Sequence, residues 1–258
     1  IQEHTGAGEI EFAVIATPPD ARMNLIEAMP ALRAVLIEKP LGLDLPQARR
    51  FLDACEERGI QVAVNLPRRY DNKLQLMAQG GLSMRWGAPQ AAFGVYGNGL
   101  RNNGTHLIDL VRMLFGEVRF VGIPPGVRRF IEGPIDGDCN VPFTLNMDSG
   151  LIVMVQPLVF EHYREVGLDI WAAQGRIQLY NETMLCHISP LTDNRQLSDA
   201  RELAHDRQVT DTMGLSTALY AAYDNIAGVL AGDATLACSG EDAYKTMQVA
   251  EAVLTLAS

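Results

Sequence analysis

The sequence predicts an α/β protein in two parts: a short parallel α/β part up to about residue 68, then an α+β part on an antiparallel or mixed sheet. Three observations predict it. Short apolar runs alternate with helix-length segments in the first third. Leucines recur at helical spacing over residues 107–114. From about residue 128 to 179, strand-like runs are separated by turn signals.

The elements follow in order. Glu11–Ala16, "EFAVIA", is a short run of strand formers, broken by Thr17-Pro18-Pro19-Asp20. Residues 21–29 suit a helix with Asp20 as its cap. Ala34–Ile37 is a second apolar run, ended by Glu38-Lys39-Pro40. Asp44–Arg58 reads as an amphipathic helix stopped by Gly59, and Ile60–Asn65, "IQVAVN", as a third strand. Apolar strands alternating with helices imply βαβ units on a parallel sheet. Three strands and two helices make half of a doubly wound domain, too little to stand alone.

Beyond Arg69 the pattern changes. Residues 70–79 suit one helix, and Gly104–Phe115 a second, with Leu107, Leu110, Val111 and Leu114 on one stripe. Strands are expected over 128–131, 140–147, 150–159, 167–172 and 176–179. Residues 189–212 are polar and aperiodic and read as a long loop. Two helices close the chain, over 216–231 and 240–256. The domain division expected is 1–68 and 69–258.

Composition limits the function. A chain of 258 residues with 48% hydrophobic content can build a sizeable core. A net charge of -10 argues against an extended nucleic-acid or anionic-membrane surface. Cys55, Cys139, Cys186 and Cys238 lie far apart without a C-x-x-C, as reduced thiols of a cytoplasmic protein do. No apolar run reaches membrane-spanning length, and the first ten residues have no signal-peptide character. His4, His162, His187 and His205 are scattered, so no metal site is expected.

Ligands of open parallel sheets bind outside the carboxyl ends of the strands. Those ends carry Thr17-Pro18-Pro19, Glu38-Lys39-Pro40 and Asn65-Leu66-Pro67-Arg68-Arg69. Lys39 stands directly after a buried strand and before a proline; it reads equally as a site lysine and as a solvated partner of Glu38. A second cluster is "LRNNGTHLIDL", where His106 and Asp109 share a helix face beside Asn102, Asn103 and Thr105. It reads as a catalytic histidine or as a capped helix start. Glu161-His162-Tyr163-Arg164 either lines a pocket or ends a strand in water. Arg68-Arg69 suits an anion or an ordinary surface. There is no G-x-G-x-x-G; the nearest text, Gly94-Val95-Tyr96-Gly97-Asn98-Gly99, has the wrong spacing.

Taken together, "VIATPPDA", "LIEKPLG" and "NNGTHLIDLVRMLFG" resemble, in order and spacing, the Gfo/Idh/MocA oxidoreductases, the glucose–fructose oxidoreductase and inositol dehydrogenase family. "GRIQLYN" and "CSGEDAYKTMQVAEAVL" resemble its closing sheet and C-terminal helices. The resemblance covers essentially the whole chain, and E-K-P after a strand is its most specific motif. It implies a Rossmann domain holding NAD or NADP, and a second domain with a large open, mostly antiparallel sheet that shapes the substrate site and builds a homodimer or homotetramer. It implies hydride transfer between nicotinamide and a hydroxyl-bearing carbon of a sugar, cyclitol or nucleotide sugar. Lys39 then corresponds to the lysine near nicotinamide and substrate, and His106 to the acid/base. Thr17, Pro18 and Glu38 correspond to cofactor-lining positions and Asn102 to one on the substrate side; His162, from the pocket-lining reading of its own run, is a further substrate-binding candidate.

The residue types suit that chemistry. A histidine takes a proton near neutral pH, and an ammonium orients a hydroxyl and stabilises alkoxide character. Two departures stand out. Asn102 occupies a position where many members carry Asp, and Asn cannot accept a proton. The family's first βαβαβ half with its glycine loop, roughly 70 residues, is not in this sequence. The full gene product is therefore expected to carry a glycine-rich strand–turn–helix upstream of Ile1. The alternative expectation is a non-catalytic member that acts as a ligand sensor or assembly module.

Overall fold

The computed structural model describes residues 6–204 and 206–257. The chain divides into two compact units, Ile1–Tyr70 with Thr217–Gln248, and Asp71–Ser216 with Val249–Ser258.

The first unit holds three parallel strands in the order β1 (Phe12–Ile15), β2 (Ala34–Ile37), β3 (Gln61–Val64). Central β2 is buried at every position, whereas β1 buries only Ile15. That difference explains why "AVLI" is uninterrupted apolar text, as doubly covered parallel strands are. Between β1 and β2 the chain makes a 3-10 turn at Pro19–Ala21 and then helix α1 (Arg22–Glu27). Asp20 lies inside that turn and α1 has no side-chain cap, so the expected Asp20 cap does not form. Helix α2 (Leu45–Glu57) is capped by Asp44, which accepts from the Gln47 amide at 2.6 Å. It buries Ala48, Phe51, Leu52 and Cys55, the i, i+3, i+4, i+7 stripe. Burial of Phe51 and Leu52 stabilises by about 2 kcal/mol each, as an upper bound. The far edge of β3 is covered by Cys238 and Ser239, through an Ala63–Ser239 bridge.

In the second unit, α3 (Asn72–Leu76) and α4 (Leu82–Trp86) replace the single helix expected over 70–79. Between them Gly80 takes φ +101, and a Cβ at Gly81 would lie 2.4 Å from the Leu76 carbonyl oxygen, so the glycine pair bends the helix. The large sheet adds β4 (Pro89–Tyr96), β5 (Val118–Gly122), β8 (Phe143–Met147), β9 (Ile152–Pro157), β10 (Gly167–Ala172), β11 (Gly175–Tyr180), β12 (Leu185–Asp193), β13 (Arg201–Leu203) and β14 (Val209–Thr212). β6 (Phe130–Ile131) and β7 (Cys139–Asn140) form a separate small hairpin. The order is β13-β12-β11-β10-β4-β9-β8-β5, with β14 also on β12; the pairs are antiparallel except β4 with β9.

Several expectations change here. The run 189–212 is not a loop: β12 continues to Asp193, and β13 and β14 pair with it. β14 is exposed throughout, so ladder bonds hold it without an apolar signal. Pro142, which has no amide donor, separates β7 from β8 where one strand was expected. β4, β5 and β12 lay outside the expected strands.

Helix α5 (Thr105–Phe115) packs on one face of the sheet through Leu107, which sits where a Cβ at Gly94 would come within 2.8 Å. Tyr96, fully buried beside Phe143, donates to the Val141 carbonyl at 2.9 Å and accepts from the Val141 amide at 3.0 Å. The other sheet face alternates outward, and Phe93, Ile152, Met154 and Trp171 are exposed on it. Helices α6 (Ala218–Ala231) and α7 (Gly240–Ala257) end the chain. Ser239 and Asp242 cap α7 reciprocally.

Replacing Tyr96 by Phe keeps the ring and strands both polar groups of Val141. The expected loss is about 1–3 kcal/mol in urea unfolding, and an unchanged midpoint would show that the pair contributes nothing.

Candidate functional site

In the first unit the carboxyl ends of β1, β2 and β3 stand side by side. The parallel register Ile15–Ile37–Val64 places Ala16, Glu38 and Asn65 at the same level. Thr17 and Pro18 are exposed, while Glu38, Lys39 and Asn65 are half-buried. Asn65 Nδ2 donates to Glu38 Oε1 at 2.7 Å, so the amide orients the carboxylate. The Lys39–Pro40 peptide bond is cis.

The E-K-P turn is held from below by Arg22, which the sequence reading passed over. Its side chain is buried, and its guanidinium donates to Thr17 O (3.3 Å), Glu38 O (2.7 Å), Pro40 O (2.7 Å) and Leu41 O (3.0 Å). One planar donor fork thus joins the turns leaving β1 and β2. Burial pulls the Arg22 pKa down to about 10, partly opposed by Glu38. Leu41 is buried, and Gly42 lies so close to α2 that a Cβ would be 2.6 Å from the Ala48 nitrogen. The text "EKPLG" therefore encodes a turn, an anchor and a close backbone contact in sequence.

Arg68 and Arg69 are buried, not a surface pair, and Arg69 meets Asp242 at 3.1 Å.

In the second unit, His106 is the second residue of α5 and half-buried. A wide π-type turn, Leu100–Gly104, precedes it and carries Asn102, whose Nδ2 donates to Asn98 O at 3.1 Å. Asp109 is buried, 3.9 Å from Arg112. Asp138, fully buried, accepts from the amides of Arg101 (3.1 Å) and Asn102 (3.0 Å) and so caps this turn from another segment. Only a tertiary contact brings it there, so no local signal marks it. His162 is exposed in a turn after β9. The structure thus groups Thr17, Pro18, Glu38 and Lys39 in the first unit. Asn102, His106 and His162 belong to the second.

The glycines of 94–99 serve packing: a Cβ at Gly97 would meet the Leu158 carbonyl oxygen at 2.8 Å, and one at Gly99 would meet Asp138. Among the described residues there is no glycine-rich phosphate loop. The residues at the strand ends supply a hydroxyl, an oriented carboxylate, an amide and an ammonium, donors and acceptors of the kind that can bind a dinucleotide's polar groups. Among the described residues no group of three or more His, Cys, Asp or Glu could hold a metal ion; His4 and His205 lie outside them. The four cysteines are buried and form no disulfide, and burial raises Cys55 to about 12 and Cys186 to about 11. No described helix is long and apolar enough to cross a membrane.

Residues 1–66 match the model of the oxidoreductase family with an NAD-binding Rossmann fold, the Gfo/Idh/MocA family. A D-apiose dehydrogenase of Paraburkholderia graminis is 29% identical over 58% of this chain and 44% of its own, so the match spans less than half of that relative's length. Levoglucosan dehydrogenase, solved with NADH and levoglucosan, superposes with TM-score 0.77 at 18% identity, over 100% of this chain and 80% of that one. The super-repressor mutant of Gal80p from Saccharomyces cerevisiae superposes with TM-score 0.76 at 13% identity, over 99% and 81%. These two superpositions show a shared fold.

Arg22→Met is expected to lower stability by about 2–4 kcal/mol in urea, because several turn carbonyls lose a charged donor. A loss under about 1 kcal/mol would mean that water replaces the guanidinium.

Proposed function

Taking the chain as a Gfo/Idh/MocA-like oxidoreductase at large, we propose that it belongs to an NAD(P)-dependent dehydrogenase. The substrate class is a sugar, a cyclitol or a nucleotide sugar, oxidised at a carbon that bears a hydroxyl. The observation that carries this reading is the rim of Thr17-Pro18, Glu38-Lys39-Pro40 and Asn65 at three parallel strand ends, inside the segment that matches the NAD-binding family model. The likeness to sugar dehydrogenases supports the substrate class.

In this reading residues 1–68 hold the dinucleotide and 69–258 the substrate. Thr17, Pro18 and Glu38 line the cofactor, and Glu38 arrives there already oriented by Asn65. The cofactor supplies the hydride acceptor. Lys39 orients the substrate hydroxyl and stabilises negative charge on its oxygen. His106 takes the proton. Asn102 and His162 hold further hydroxyls. Asn102 cannot accept a proton, so the proton leaves through His106. The exposed apolar sheet face, with Phe93 opposite Met154, supports assembly of a homodimer or homotetramer.

A second reading, a ligand sensor without turnover, is favoured by one observation: the fold is shared as closely with the Gal80p super-repressor as with a dehydrogenase. The two readings separate on turnover.

Titration with NAD and with NADP is expected to raise the melting temperature, because a ligand that binds the native state stabilises it by mass action. With a polyol substrate, Lys39→Met and His106→Gln should each lower kcat at least about a hundredfold while leaving the melting temperature within a few degrees. A near-normal rate in either variant would remove that residue from the mechanism. Binding without turnover across sugars and cyclitols would support the sensor.

A further inference from the structure

The parallel pair β4 and β9 sends both chains out of the large sheet at the same end. The segment after β4 leads through Asn98 and Gly99 into the turn bearing Asn102 and then to His106. The segment after β9 leads through Leu158 and Phe160 to His162. They begin in contact: Leu158 N donates to Tyr96 O at 2.6 Å, and Gly97 has no room for a Cβ because Leu158 O and Phe160 lie against it.

Just beyond that contact one carboxylate joins the two segments. Glu132, in the loop between β6 and β7, accepts from the Asn98 amide at 2.9 Å through Oε2 and from the Phe160 amide at 2.8 Å through Oε1. Asn140 donates to the same Oε2 at 2.8 Å and accepts from the Gly99 amide at 3.1 Å. Asp138 takes two amides further along the first segment, Arg101 and Asn102. The backbone is shaped for this arrangement. Gly99 has φ +90, and Gly133 has φ +103 with Asn98 O only 2.5 Å from where a Cβ would sit.

A carboxylate bonded to amides of two different loops has a consequence that a cap on one loop lacks. Each oxygen fixes one segment, and the rigid carboxylate plane sets their separation. We propose that Glu132 is a positioning residue that holds the Asn102–His106 segment and the His162 turn at one spacing, and so tunes which polyhydroxylated substrate fits. The substrate part rests on the dehydrogenase reading; the mechanical coupling does not.

Hydrogen exchange followed by mass spectrometry tests the coupling without turnover. In Glu132→Ala, peptides covering 98–104 and 158–164 are both expected to exchange at least about tenfold faster, with β8 and β10 unchanged. Asp138→Asn should accelerate only 98–104. Glu132→Gln keeps one acceptor oxygen, so it should restore protection in one segment and not the other. This variant also covers the case in which Glu132→Ala does not fold. Acceleration of a single segment in Glu132→Ala, or of neither, overturns the proposal. If the wild type turns over a polyol, Glu132→Gln should raise KM at least about fivefold with kcat within twofold and nicotinamide affinity unchanged. Coupling in exchange with an unchanged KM overturns the substrate role alone. Coupling with no turnover in the wild type sinks the dehydrogenase reading and leaves the positioning role standing.

Discussion

A buried guanidinium donating to four backbone carbonyls is the interaction on which the first unit's candidate site depends. Parallel strands end with carbonyl groups that have no ladder partner, and a turn directly after a buried strand would bury some of them unpaired. Arg22 supplies the donors from helix α1, reaching the turn after β1 and the turn after β2 together. The cost of burying its charge appears in the lowered pKa, and Glu38 offsets part of it. Without such a donor, the turn bearing Glu38 and Lys39 would need water or another conformation to satisfy its carbonyls. Lys39 thus sits on a backbone turn whose flanking carbonyls, those of Glu38 and Pro40, are held by Arg22.

The second unit solves the converse problem with the opposite charge. A turn that opens a helix leaves amides unpaired, and Asp138, Glu132 and Asn140 accept from them across the space between segments. Cationic donors close carbonyl-rich strand ends, and anionic acceptors close amide-rich helix entries. In both units the groups proposed for chemistry sit on backbone held by other polar side chains, buried Arg22 in one and buried Asp138 and Asn140 with half-buried Glu132 in the other.

The local pattern made much of this fold readable. Ala34–Ile37 and Gly167–Ala172 match their strands residue for residue, the first because burial on both faces leaves an unbroken apolar text and the second because strand formers stand between turn signals. Helix α2 was readable from its amphipathic pattern and the Gly59 that follows it, while the cap by Asp44 came only with the structure. β4 was not, because it opens on a proline and carries Gly94, the glycine that lets Leu107 approach, and so breaks the pattern of a strand. β13 and β14 were not, because ladder bonds at a polar edge leave no periodicity. Within the candidate site, Lys39 stood out because a charge after a buried run is conspicuous. Arg22 did not, since one arginine in a short amphipathic helix looks solvated until its carbonyl partners are in place. Asp138 and Glu132 act across more than thirty residues of chain, a distance that no local pattern spans.

The claim that Arg22 builds the turn which Lys39 and Glu38 need is tested most directly by measuring nicotinamide-cofactor affinity in Arg22→Lys. Lysine keeps the charge but cannot reach four carbonyls in one plane. With far-ultraviolet circular dichroism unchanged, the account predicts at least about tenfold weaker binding than in the wild type. Equal affinity in the two proteins, or no binding by the wild type, would contradict it.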